Sequence, residues 1–535
     1  MASGVSESPM GASVRRGRGL LVVGVTLALV LAPTAFGAAT TVTAPSASLR
    51  PSSPLGPAPP PGEENSTPVI GVVATTPVGD LPTAIASDPQ NGWVYVVNQG
   101  ASDVTILSGS SVIGSVDVGQ GCLGIVYDSG TGDLYVSNFR TNNVSVIQGM
   151  NRIALVPVGT EPLTAVYDPA NGLVYVIDSG SNSVTILNGT TVVANDSVGA
   201  GPTSGAYDPS DGFVYVTSRY TNLEAVFSGT TVIDEISTGL VLAFDTLYDP
   251  VNGYLYVLNA TEQGGRYGAH IPGALGVAIV GTRLAFSFSI GTGPQFGAVA
   301  AIDPQTGWLY IPDAGTSSVI IVNGTEVIAS VDIGALPTVA LYDPADSMVY
   351  ISDEQGYAVT VLNLTAIVAQ PTVGIYPQAM AYDPLDEHVY VANLGESTVT
   401  ILGLVQGWRV QFVESGLAPG TTWNVTFESV ARSSNSSTIV FFAPNGTYTY
   451  SVSPVTGYLL NNSSRAGVST VTEPGVTIEV LFTPIVGAPP PSHAFSSVYL
   501  YYGLGGAALA ALAAGGVLGA RKYRKTHPKR RTVDI

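Results

Sequence analysis

Eight copies of one phrase recur through the middle of this chain at a nearly constant interval. The copies include SDPQNGWVYVVN from Ser87, YDPANGLVYVID from Tyr167, YDPVNGYLYVLN from Tyr248 and YDPLDEHVYVAN from Tyr382. Their aspartates are Asp88, Asp128, Asp168, Asp208, Asp249, Asp303, Asp343 and Asp383, at spacings of 40, 40, 40, 41, 54, 40 and 40 residues. Self-similarity at this period means a propeller or an array, because one unit of that size cannot bury its own apolar faces. Each copy reads as four strands. A small-residue strand enters Asp-Pro-x-x-Gly, where proline presets the first turn position and glycine supplies the positive φ that closes a hairpin. The Val-Tyr-Val strand follows, then a polar turn and an alternating strand such as 184–187. Asn188-Gly189 then predicts a two-residue hairpin into a last strand that ends at Val-Gly.

The last-strand pattern also occurs before the first copy, at 69–79, and is missing after the eighth, where 399–402 runs into different sequence. The count balances if the opening strand completes the final unit, so that a closed ring leaves only short, protected edges. The expected fold class is all-β: an eight-bladed β-propeller over 68–404, with seven blades and an irregular piece as the alternative. The extra length of copy five, around 261–274, is expected to protrude as a loop.

The tetrapeptides at Tyr95 (YVVN), Tyr135 (YVSN), Tyr256 (YVLN) and Tyr390 (YVAN), with the repeated Asp-Pro and Val-Gly, resemble the YVTN-family β-propeller repeats. That resemblance spans well over half of the chain and implies a propeller of the kind known in archaeal surface-layer proteins. Ser347 and Glu387 replace the turn glycine in copies seven and eight, which leaves their turn geometry open.

The flanks read differently. Arg15, Arg16 and Arg18 precede an apolar run and then small residues, the pattern of a secretory signal over 1–39. Residues 40–67 are rich in Pro, Ser and Thr and read as a disordered leader. Residues 405–485 carry alternating segments separated by turns and are expected to form a small β-sandwich. A Pro-rich stalk at 486–497 leads to 498–520, uncharged and apolar, which reads as a single transmembrane helix. The basic tail at 521–535 places that end in the cytoplasm under the positive-inside rule, giving type I topology at the cell membrane with the propeller outside.

Charge follows the same division. All three lysines lie in the tail, and between residues 40 and 497 nine arginines stand against 36 acidic residues, a net of −27. Such an exterior repels nucleic acid. Cys122 is the lone cysteine, so no intramolecular disulfide forms. Twelve Asn-x-Ser/Thr sequons mark candidate glycosylation sites on the expected outside: Asn65, Asn143, Asn188, Asn195, Asn259, Asn323, Asn363, Asn424, Asn435, Asn445, Asn461 and Asn462.

No catalytic, cofactor-binding or metal-binding constellation stands out, and no cofactor is implied. The four histidines, His270, His388, His493 and His527, are too scattered for a repeated metal cluster. The eight repeat aspartates are read as caps of their own turns. The tyrosines of the second strands are read as packing between blades. Asp353 and Glu354 are read as members of a solvated loop. The expected function is a membrane-anchored envelope, adhesion or ligand-binding module, with extracellular glycan or protein as partner and no enzymatic activity. The alternative is an extracellular carbohydrate-active enzyme, a lyase or hydrolase, with its site at the channel mouth; it requires two carboxyls from different blades at glycosidase spacing.

Overall fold

A computed structural model describes residues 66–240, 242–259, 275–290, 298–334 and 336–485. The expected signal, stalk, apolar span, basic tail and copy-five insertion, with residues 40–65 of the leader and Asn65, lie outside those residues; the last two leader residues, Ser66 and Thr67, instead begin the opening strand. Among the described residues no helix is long and apolar enough to cross a membrane.

Almost every element is a strand. Seven four-stranded antiparallel sheets follow in chain order, at 82–117, 122–157, 162–197, 202–237, 243–289, 301–332 and 337–369. An eighth unit joins Pro377–Asp383, His388–Asn393 and Thr398–Ser415 to Ser66–Pro77. Inner strands of successive sheets lie against each other throughout, and the first touches the eighth. There Ser87 Oγ donates to the Tyr382 carbonyl at 2.7 Å. The fold is that of a β-propeller. The opening strand pairs Thr76 with Val399 and Val72 with Leu402, so the two ends of the ring share one sheet.

Local chemistry explains the repeat. In all eight copies the aspartate Oδ1 accepts the backbone N–H two residues on, at 2.7–3.1 Å. Each of these carboxylates is buried, so the cap satisfies a group that would otherwise be costly to bury. The turn conformation survives the loss of glycine: Ser347 and Glu387 hold φ of 59° and 58°, in the same left-handed region as Gly92 at 69°. The second-strand tyrosines are fully enclosed, and three hydroxyls cross to the next sheet. Tyr175, Tyr215 and Tyr256 donate to the carbonyls of Gly229, Gly281 and Gly324 at 2.7–2.9 Å.

The recurrent Val-Gly and the last residue of the tetrapeptide are explained together. A Cβ at Gly79 would stand 2.5 Å from Asn98 Nδ2, and one at Gly159 would stand 2.6 Å from Asp178 Oδ2. The glycine leaves room for the polar side chain that stitches the second strand to the third. Asn98 Nδ2 donates to Asp103 Oδ1 and to Thr105 Oγ1, both at 2.8 Å.

Two expectations shift. The outer hairpin lies one residue later than expected: Asn188 pairs with Thr191, so Gly189 (φ 56°) and Thr190 form the loop. Glycine first in a two-residue loop suits the II′ turn, which leaves Asn188 in the ladder. The boundary at 404/405 is not a linker. One 18-residue strand, Thr398–Ser415, runs from the ring into the next unit, and the opening strand follows it as far as Trp408. Beyond it, two four-stranded sheets enclose Phe412, Trp423, Phe427, Phe441 and Phe482, with one parallel pairing between 410–415 and 476–481.

Candidate functional site

The regular sheets make an exception visible. Where the second and third strands pair, one third-strand position carries valine in six sheets: Val104, Val144, Val184, Val319, Val359 and Val399. All six are wholly buried. The fourth sheet places Glu224 there, opposite Thr217, and it too is 0 % exposed. A second exception lies beside it. The inner-strand position taken by Ala84, Gly124, Thr164, Ser204 and Ala379 is Asp245 in the fifth sheet, 1 % exposed.

One hydrogen-bond network joins the two carboxyls. Thr217 Oγ1 donates to Glu224 Oε2 at 2.5 Å and also meets Thr246 Oγ1 across the seam between sheets. Asp245 Oδ1 accepts from Thr246 N at 2.9 Å and from Ser204 Oγ at 3.3 Å. Asp245 Oδ2 accepts from Ala300 N at 3.0 Å, which ties the fifth sheet to the sixth. Glu224 Oε1 is buried with no hydrogen-bond partner.

Burial dominates the electrostatics. It pushes the Glu224 carboxyl up to about 8, against the opposing pull of the Thr217 and Thr246 hydroxyls. It pushes Asp245 up to about 7, partly offset by the N–H groups of Ala300 and Thr246 and by the Ser204 hydroxyl. Among the described residues no Arg or Lys lies within ion-pair distance of either group. The cluster can therefore hold protons. It is sealed from any molecule that would need to reach it through solvent.

The residues singled out in the sequence are dispersed. Nine sequon asparagines are exposed: Asn188, Asn195, Asn323, Asn363, Asn424, Asn435, Asn445, Asn461 and Asn462. Asn188, Asn323 and Asn363 occupy one equivalent place, the residue before the outer hairpin. Asn143 is half-buried, with Nδ2 donating to the Thr141 carbonyl. Asn259 departs from the expected exterior: it is 2 % exposed, because it takes the buried tetrapeptide place held elsewhere by Asn98. Asp353 likewise departs from a solvated loop; it is 2 % exposed and its Oδ1 accepts from Gly356 N at 2.8 Å. Glu354, beside it, is half-buried. Cys122 is fully buried, its Sγ donating to the Asn98 carbonyl at 3.3 Å, and burial pushes the thiol up to about 12. His270, His493 and His527 lie outside the described residues.

Glu224 and Asp245 were not among the residues expected to matter. The signal was available in alignment of the repeats: LEAVF stands where SVTIL and AVTVL occur, an acid in a valine column.

No family model matches this sequence, and no curated protein matches it. Among solved structures, hydrazine synthase of Kuenenia stuttgartiensis is similar at 17 % identity and TM-score 0.41, over 61 % of this chain and 96 % of that one. A virginiamycin B lyase from Staphylococcus aureus is similar at 13 % identity and TM-score 0.43, over 53 % and 95 %. A streptogramin B lyase gives 14 %, 0.41, 53 % and 94 %. Similarity this low transfers no activity, and the propeller assignment rests on the strand topology itself.

Proposed function

We propose that this chain is an exported, membrane-anchored surface protein. In this reading an eight-bladed propeller, glycosylated on its outer hairpins and carried on a β-sandwich, serves as an envelope, adhesion or ligand-binding module toward extracellular glycan or protein. The observation that carries the proposal is the set of nine exposed sequon asparagines, three of them repeated at one place on the outer hairpins. The net of −27 between residues 40 and 497, the basic tail and the likeness of the tetrapeptides to archaeal surface repeats support it. The repeat carboxylates are engaged in capping their own turns, so the ring is a rigid scaffold and recognition falls to its loops. The carbohydrate-active alternative requires two carboxyls open to substrate, and Glu224 and Asp245, sealed in the seam, do not supply them.

Protease shaving of intact cells tests the proposal. Ring peptides are expected in the supernatant, with glycan mass on peptides bearing Asn188, Asn323 or Asn363, while the basic tail stays with the cells. A ring cleaved only after lysis would refute it.

A further inference from the structure

The seam that holds Glu224 and Asp245 is also where the repeat is interrupted. The spacing from Asp249 to Asp303 is 54 residues, not 40. The inner strand of the sixth sheet shrinks to Ala301–Asp303, where the regular inner strands have six or seven residues. Its approach is held from both sides. Val299 N donates to the Thr338 carbonyl and Ala340 N to the Val299 carbonyl, both at 2.8 Å, in a parallel bridge to the seventh sheet. Toward the fifth sheet, the Asp245 carboxyl takes Ala300 N. The network from Glu224 through Thr217 and Thr246 to Asp245 thus spans three consecutive sheets where, among the described residues, the inner strand is shortest.

The chemistry of this tie depends on charge. Glu224 has one oxygen on a hydroxyl and one on nothing, too little to hold a buried anion. A neutral carboxyl costs far less in the same place, and its proton can bond along the threonine hydroxyls. The neighbouring strands carry other ionisable groups: Tyr207 and Asp208 on the fourth inner strand, Tyr215 on its second strand with Arg219 just beyond, and Tyr248 and Asp249 at the end of the fifth inner strand. Of these, Tyr215 turns its hydroxyl away from Glu224, donating to Asp211 Oδ2 and the Gly281 carbonyl.

We infer that Glu224 and Asp245 form a proton-loaded clasp that holds the fourth, fifth and sixth sheets together in acid and releases that seam first when the medium turns alkaline. The sign follows from the direction in which burial moves both acids. A carboxyl that titrates higher in the folded chain than in the unfolded one gives its full contribution below its unfolded value and loses it as pH rises through the folded value. For Glu224 and Asp245 that window runs from about 4 to about 8. The ring is thereby matched to an acidic medium, with opening confined to one sector.

Hydrogen exchange with mass spectrometry on the full chain at pH 5 and pH 8, corrected for intrinsic rates, tests this. Peptides from 217–225, 243–259 and 298–303 are expected to exchange at least about tenfold faster at pH 8, the change of one pKa unit in opening equilibrium. The equivalent peptides at 133–148 should change less than about threefold. Glu224→Gln, and independently Glu224→Val, which installs the residue of six other sheets, should diminish the seam response and leave the part that Asp245 carries. A uniform pH response in all sheets, or an undiminished seam response in either folded variant, overturns the clasp.

Discussion

Replacing Glu224 by valine is expected to stabilise the ring near neutral pH and to do little in acid. The pH-dependent part is independent of how well the new side chain packs, because packing does not titrate. With a folded value of about 8 against an ordinary 4.5, holding Glu224 neutral costs about 3.3 kcal/mol at pH 7 and about 0.8 kcal/mol at pH 5. The difference of about 2.5 kcal/mol disappears with the carboxyl. Thr217 loses one acceptor in the variant but keeps Thr246 as a neighbour, at a cost of about 1 kcal/mol at either pH. Valine should therefore be nearly neutral at pH 5 and stabilising by about 2 kcal/mol at pH 7. Urea titrations of wild type and variant at both pH values measure this, followed by circular dichroism and by tryptophan fluorescence so that coincident transitions license the free energies. A variant whose advantage is the same at both pH values to within about 0.5 kcal/mol would refute the reasoning, because it would mean that Glu224 titrates alike in the folded and unfolded chain.

Other sites give sharper local tests. Gly159→Ala forces a methyl to within 2.6 Å of Asp178 Oδ2 and should cost about 1–3 kcal/mol by the same urea assay. Glu387→Gly removes a side chain from φ of 58° and should gain up to about 1 kcal/mol after the added freedom of the unfolded chain is subtracted. Deleting 66–77 strips Val399, Ile401 and Leu402 of their outer partner strand, so the peak that the intact chain gives on gel filtration should give way to aggregate. Cys122 should resist a thiol reagent at pH 8 until denaturant is added, since its thiol is enclosed and held up to about 12.

Much of the ring was legible because its signals are local. Asp-Pro-x-x-Gly states a turn, alternation states a strand, and counting last strands states which end completes which sheet. What escaped was whatever one repeat does not contain. Read alone, the sequence places a domain boundary at 404/405, between Gly403 and Gly407. In the structure these two glycines are packing positions within a single strand: a Cβ at Gly403 would run into the His388 ring, and one at Gly407 would meet Val69 Cγ1 at 2.7 Å. Glycine lets the opening strand and the eighth sheet close on Thr398–Ser415 without breaking its ladder, so the same residue type that separates elements elsewhere joins two units here. Glu224 escaped for the complementary reason. Inside LEAVFSGT it is an ordinary acid on an alternating strand; it becomes exceptional only against the six valines that hold its place in other sheets. Register is set across the repeats, and so are features that break the regularity of this ring, among them a strand that does not stop and an acid that is not valine. A repeat architecture makes such departures readable. Symmetry supplies the expected residue at every position, and a buried carboxyl in an apolar column must then be held neutral by its surroundings or removed.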